Sequence, residues 1–160
     1  MVNIKFHGTR GSFPVVPHQA DIDFLQKQGD ITPHYYGGDT TCLEVSSDKE
    51  HLVIDAGSGL KSYNWTAHEE YFIIISHVHW DHIMGFLFFA PMFIPGKKVN
   101  IISAHPQIEQ SVKTLFNGIN FPVGYEMLGA EINYQVLNPY QAYELNDFEV
   151  TPFKLDHPGQ

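Results

Sequence analysis

Tyr71-Phe72-Ile73-Ile74-Ile75-Ser76-His77-Val78-His79-Trp80-Asp81-His82 is the stretch on which the reading of this 160-residue chain turns. Its five opening apolar residues show no alternation, as expected of a strand covered on both faces. Three histidines and one aspartate then fall within six positions. In extended backbone, side chains at i and i+2 point the same way, so His77 and His79 can present both imidazoles to one point. If the backbone then turns into a helix, Asp81 and His82 sit in its first turn and reach a second, neighbouring point. The pattern reads as two adjacent metal sites. Singly, Asp81 fits a helix N-cap and His77 a satisfied histidine at a strand end. Together, at this spacing, the four mark a metal-binding cluster.

Working outward, the composition bounds the rest. The length suits one domain with a real core. Apolar residues make up 43% and aromatics 14%, so the chain is expected to fold rather than remain disordered. Nine basic against eighteen acidic residues give a net charge of −9, and Arg10 is the only arginine. Such a surface gives no strong nucleic-acid signal and argues against broad contact with a phosphate backbone, whose neutralisation needs clustered Lys and Arg. A small phosphorylated substrate stays open, since bound divalent cations would dominate the local field. The single cysteine, Cys42, reads as a small buried strand residue and fits a reducing compartment. The N-terminus carries no charged segment followed by an apolar one, and the apolar stretch from Ile83 to Ile94 is interrupted by Gly85 and Pro91. With ~20 residues needed to span a bilayer, the expectation is a cytoplasmic protein without membrane contact.

Upstream of the cluster, Val2 to Phe6 alternates like a half-buried strand. Gly8-Thr9-Arg10-Gly11-Ser12 reads as a turn; Arg10 is assigned to an internal acid, with substrate as the alternative. Residues 13 to 39 form a long irregular segment with a short helix near Asp21 to Gln28, either a functional flap or an insertion. Thr41 to Ser46 and Leu52 to Ile54 read as a hairpin, with Asp55 at a strand end and a short helix near Leu60 to Trp65. Downstream, Ile83 to Phe89 is expected to continue the helix to Pro91, with its aromatics in the core. Val99 to Ile102 is a further strand, and Pro106 opens a helix to about Phe116. His105 reads as a helix-entry residue, not a ligand. Glu131 to Leu137, Ala142 to Leu145 and Phe148 to Leu155 read as strands, the last two joined at Asn146-Asp147. The interspersed elements place the chain in the α/β (α+β) class with a mixed sheet and flanking helices.

His77-Val78-His79-Trp80-Asp81-His82 is an H-x-H-x-D-H signature, and on it the chain resembles the metallo-β-lactamase-fold hydrolases. Gly8 to Pro14, Tyr36 to Cys42, Ile54 to Leu60, Phe121-Pro122-Val123 and Asp156-His157-Pro158-Gly159 resemble successive blocks of that family. The combination is similar to the branch holding the tRNA 3′-processing endonuclease and the phosphoribosyl cyclic phosphodiesterase. The resemblance implies an αββα sandwich in which His77, His79 and His157 hold one metal and Asp81 and His82 a second. Asp55 would orient a ligand by hydrogen bonding. From the residues alone, His157 before a proline would read as structural. The family pattern continues past this point with a bridging aspartate, another histidine ligand and the rest of the second sheet. Residues 1–160 are therefore expected to form a single metallo-β-lactamase-like domain truncated at its C-terminus, with self-association hiding the uncovered sheet face.

The implied cofactors are two divalent ions, zinc first and manganese or iron as alternatives. The implied activity is hydrolysis of a phosphodiester by a hydroxide that the two metals generate, with Asp81 also able to accept a proton. Two other readings stay open: an ester or lactone hydrolase on the same fold, and a metal-binding regulatory or interaction module without turnover. A di-iron redox protein is disfavoured, because that branch of the resemblance carries Glu where this chain has His79.

Overall fold

A computed structural model describes residues 1–16, 23, 24, 27 and 38–157. The expected helix near Asp21 to Gln28 lies largely outside the described residues. Six strands form one sheet in sequential order: β1 (Asn3–Gly8), β2 (Cys42–Ser46), β3 (His51–Ile54), β4 (Glu70–Ile75), β5 (Lys98–Ser103) and β6 (Glu131–Val136). The first three pair antiparallel and β3 to β6 pair parallel, which is the mixed sheet expected. β7 (Tyr143–Leu145) and β8 (Phe148–Val150) form a separate hairpin turned at Asn146, whose φ is +54°.

The two sheet faces have different fates. Tyr71, Ile73 and Ile75 of β4 face the main core with Val99 and Ile101 of β5, under Phe86, Phe89, Ile108 and Val112. Phe72 and Ile74 face the other way, against Ile102, Leu137 and Leu145, so the β7–β8 hairpin covers this second face. Both faces of β4 are thus packed, which is why its sequence does not alternate. The cover stops short of β1. Ile4 and Phe6 pair with Val45 and Leu43 and stand 60% and 58% exposed.

The helix after the histidine cluster is shorter than its apolar run suggests. α1 spans Trp80–Ile83 and gives way to 3₁₀ turns over Met84–Phe88 and Ala90–Phe93. The reason is competition for hydrogen bonds: His82 O accepts Ala56 N at 2.8 Å, and Gly85 N donates to Ala56 O at 2.8 Å. Those two groups would otherwise serve the i to i−4 ladder. A Cβ on Gly85 would lie 2.1 Å from Gly57 O, so only glycine permits this approach.

Other expectations shift at their ends. The Leu60–Trp65 helix is two short 3₁₀ turns, Ser58–Ser62 and Trp65–Ala67. The second helix, α2, is Ile108–Leu115, starting two residues after Pro106, and the last strand ends at Val150 rather than Leu155. Cys42 is buried, as expected of a small strand residue, and burial pushes its thiol up to about 12, which keeps it protonated. Among the described residues, no helix is long and apolar enough to cross a membrane.

At the opposite end of β4 from the cluster, the His51 and His68 rings stack with centroids 3.5 Å apart, beside Tyr63 and Tyr71. Burial first, and then His68, hold His51 below its ordinary value against the pull of Glu44. His68 is lowered as well, by burial first and also by Lys97, against the same Glu44. A histidine whose folded pKa is lowered is neutral in the native state and takes up protons on unfolding. Its contribution is therefore complete above 6.5, the ordinary value, and is lost as pH falls below it. The metal-free chain should lose melting temperature from pH 7.5 to pH 5. His51→Phe, which keeps a ring and removes a buried Nε2 without a partner, should make that loss shallower. Equal slopes for the two proteins would refute the assignment.

Candidate metal centre

The carboxyl ends of adjacent parallel strands build the centre, at the edge where open α/β sheets carry ligands. β3 delivers Asp55 and β4 delivers Ser76 and His77. Asp55 takes φ = +61°, a left-handed conformation that Asp and Asn adopt more readily than other side chains. Its N–H donates to Ile74 O at 2.8 Å, which ties the turn to β4. Its buried carboxylate then accepts Ser76 N at 2.9 Å, Ser76 Oγ at 2.8 Å and His82 Nδ1 at 2.8 Å.

These contacts aim the imidazoles. With Nδ1 of His82 donating to Asp55, its Nε2 is left as the lone-pair nitrogen, 3.5 Å from Asp81 Oδ2. Asp81 Oδ2 also accepts Ser12 N at 2.7 Å. His77 Nδ1 meets Ser76 Oγ at 3.1 Å, and its Nε2 lies 3.0 Å from His79 Nδ1. His79, just before α1, keeps extended backbone, which preserves the i, i+2 pincer. The His157 ring arrives from beyond β8, centred 4.5 Å from His77 and 5.1 Å from His79. One nitrogen from each of the three lies within 4.8 Å of the others.

The donor chemistry fits a divalent transition metal. Nitrogens bound at about 2.0–2.1 Å in a tetrahedral shell lie roughly 3.3 Å apart, close to the His77–His79 spacing. Burial, followed by His82, His79 and His157, pushes His77 down to about 4, with Asp55 opposing. His77 is therefore neutral near pH 7, the state a ligand needs. Asp81 and His82 offer two further donors beside this group, and the His82 ring centres 3.9 Å from His77.

All six residues singled out in the sequence, His77, His79, Asp81, His82, His157 and Asp55, are brought together. His105 stays apart as a helix-entry residue, its Nδ1 accepting Gln107 N at 3.2 Å. Two residues escaped notice. Ser76 links Asp55 to the histidines, and its place directly before His77 was the available signal. Ser12 acts through its backbone N–H with φ = +66°, and no sequence pattern marks that.

The family model for Anti-Pycsar protein Apyc1 matches residues 34–160. The chain belongs to this family. The Apyc1-family chain is also 26% identical over 136 residues to a 3′,5′-cyclic-nucleotide phosphodiesterase of Schizosaccharomyces pombe, covering 76% of this chain and 39% of that protein. Among solved structures it is similar to the metallo-β-lactamase fold protein YhfI from Bacillus subtilis, with a TM-score of 0.59, 22% identity, and coverage of 99% of this chain and 55% of that one. A diphosphatase from the PhnP family superposes with a TM-score of 0.58 at 19% identity, covering 91% and 54%. The Apyc1-family chain therefore has the metallo-β-lactamase fold, and it spans between 39% and 55% of the length of these relatives.

Proposed function

We propose that this chain carries the metal centre of a metal-dependent phosphodiesterase whose substrate is a cyclic nucleotide. The observation that carries the reading is the convergence of His77 Nε2 and His79 Nδ1 at 3.0 Å, with His157 beside them and Asp81 and His82 adjacent. The cyclic-nucleotide phosphodiesterase of S. pombe supports the choice of substrate. His77, His79 and His157 would hold one divalent ion, and Asp81 and His82 would contribute to a second, with zinc preferred by the imidazole-rich donor set and manganese or iron as alternatives. When bound, such ions supply a hydroxide nucleophile near neutral pH and compensate charge on the phosphoryl oxygens.

The chain's own residues do the positioning. Asp55 keeps the His82 Nε2 lone pair directed at the site, and the Ser12 amide fixes the Asp81 rotamer. That amide occupies one lone pair of Asp81 Oδ2, and the rest of the carboxylate is available to ligate or to accept a proton from water or substrate. The net charge of −9 disfavours broad contact with a polynucleotide backbone and so favours a small phosphodiester.

The test is hydrolysis of 3′,5′-cyclic nucleotides and of bis(p-nitrophenyl) phosphate by the full chain, with added Zn²⁺ or Mn²⁺ and with chelator. Metal-dependent turnover that disappears in Asp81→Ala is expected. A second reading, a metal-binding module without turnover, draws on the two donors that Asp81 and His82 supply, fewer than a closed tetrahedral site requires. Stoichiometric metal with no hydrolysis of either substrate would select it.

A further inference from the structure

The six-stranded sheet ends in two edges, β1 and β6, and the two are built differently. β1 carries Lys5 near its middle, and its register with β2 shifts between Phe6 and Gly8. A lysine and a bulge are devices that keep an edge strand from pairing further. β7 and β8, at three residues each, are guarded by their shortness. β6 has none of these guards. Its register with β5 is unbroken from Lys98↔Glu131 to Ser103↔Val136. After Glu131 it reads Ile132-Asn133-Tyr134-Gln135-Val136, uncharged throughout and without proline. Among the described residues, no strand pairs with its outer side.

The hydrogen bonds at either end of β6 show what that outer side offers. Glu131 N donates to Lys97 O at 2.9 Å and Leu137 N to Ser103 O at 2.8 Å, so the odd-numbered residues aim their backbone groups at β5. The residues between alternate, and Ile132, Tyr134 and Val136 turn their N–H and C=O groups outward. A second copy of β6 fits this row antiparallel, about a two-fold axis at Tyr134. Tyr134 then lies opposite Tyr134, Ile132 opposite Val136 and Asn133 opposite Gln135, and every outward N–H finds a carbonyl across the axis. Centring the axis on Asn133 instead would set Val136 against Ala130, outside the strand. The chosen register also covers Val136, which is 53% exposed. It opposes no like charges: each Glu131 meets Leu137 at an end of the pairing, which matters between chains of net charge −9. On the exposed face, Asn133 Nδ2 donates to Asn100 Oδ1 at 3.2 Å. The Gln135 side chain makes no hydrogen bond among the described residues, so Gln135 of one copy can extend that amide ladder from Asn133 of the other.

We propose that the outer edge of β6 joins two copies of this chain, β6 to β6 antiparallel, so that one continuous sheet runs through both. In strand addition of this kind the main-chain hydrogen bonds supply the affinity, and the side chains set opposite one another supply the specificity. Because both copies use the same edge, the contact closes at two and does not propagate into a filament. The second copy sits on the edge of the sheet and not over the exposed face of Ile4 and Phe6. No residue of the metal centre takes part, so the pairing stands or falls independently of the proposed activity.

Sedimentation velocity of the full chain from ~1 μM to ~1 mM should show monomer passing to dimer. Val136→Pro is the directed variant. The Val136 N–H points away from β5, so proline removes an outward donor without removing a β5–β6 bond. The variant should keep the circular dichroism of the unaltered chain and raise the dissociation constant about 30-fold, the loss of one backbone hydrogen bond from each copy. A second measurement does not depend on that variant. A nitroxide on Gln135→Cys should show dipolar broadening, since the two Cα atoms would stand roughly 8 Å apart across the axis, two strand rises along and one strand spacing over. A nitroxide on Lys5→Cys, at the other edge, should show none. A chain still monomeric at ~1 mM overturns the proposal and leaves the edge to a strand from a different protein. A dimer that Val136→Pro leaves unchanged, with no broadening at position 135, puts the second copy elsewhere and overturns it as well. Broadening at position 5 instead would assign the contact to β1.

Discussion

His79→Ala should lower the affinity of the chain for its first divalent ion by about 10²-fold or more and remove metal-dependent hydrolysis, while leaving the metal-free fold intact. The size follows from its place. Loss of a group that only orients a ligand costs about 10–100-fold, and His79 is itself one of the two nitrogens 3.0 Å apart. The stability side follows from exposure: an exposed side chain away from the core changes unfolding by roughly 0.5 kcal/mol or less. Isothermal titration with Zn²⁺, paired with a urea melt in chelator, reads both quantities. Unchanged zinc affinity would remove His79 from the ligand set and with it the pincer geometry. His157→Ala should behave in the same direction, since its ring completes the group of three.

Asp55→Ala should be the most damaging single change to the fold at this end of the sheet. It deprives Ser76 N, Ser76 Oγ and His82 Nδ1 of their shared acceptor, and it forces alanine into φ = +61°. Unpaired donors and a left-handed non-glycine residue together cost about 2–4 kcal/mol. Asp55→Asn separates structure from chemistry. Asparagine tolerates the left-handed backbone, so the fold should survive with a smaller loss. If its amide nitrogen turns toward His82 Nδ1, the imidazole must shift its proton to Nε2, the atom that faces Asp81. Binding of the second metal should then weaken by about 10–100-fold. Urea denaturation of both variants, with a metal titration of the asparagine one, checks this. Asparagine and alanine variants of equal stability would show that backbone strain and buried pairing do not matter here.

The portion of the fold that was legible in the sequence is the portion governed by short spacing. The apolar run of β4, the hairpin of β2 and β3 and the turn at Asn146 depend on neighbours a few residues away, and each stands where its pattern put it. The end of α1 was not legible. Its residues have the apolar character of a longer helix, but Ala56, distant in sequence, captures the hydrogen bonds that would continue it. Helix propensity is a weak preference, and two good hydrogen bonds to a neighbouring loop exceed it.

The candidate site divides along the same line. By itself the sequence determined that His77, His79, Asp81 and His82 lie close together, because six residues of chain cannot separate them and i, i+2 alternation aims two of them at one point. Only the tertiary structure decided which distant groups join them. His157 reaches the cluster because the segment after β8 returns to the carboxyl ends of β3 and β4, and Asp55 reaches His82 because β3 pairs parallel with β4. The Ser12 amide meets Asp81 across 69 positions of sequence. Contacts of that range are set by strand order and register, which short-range spacing does not encode.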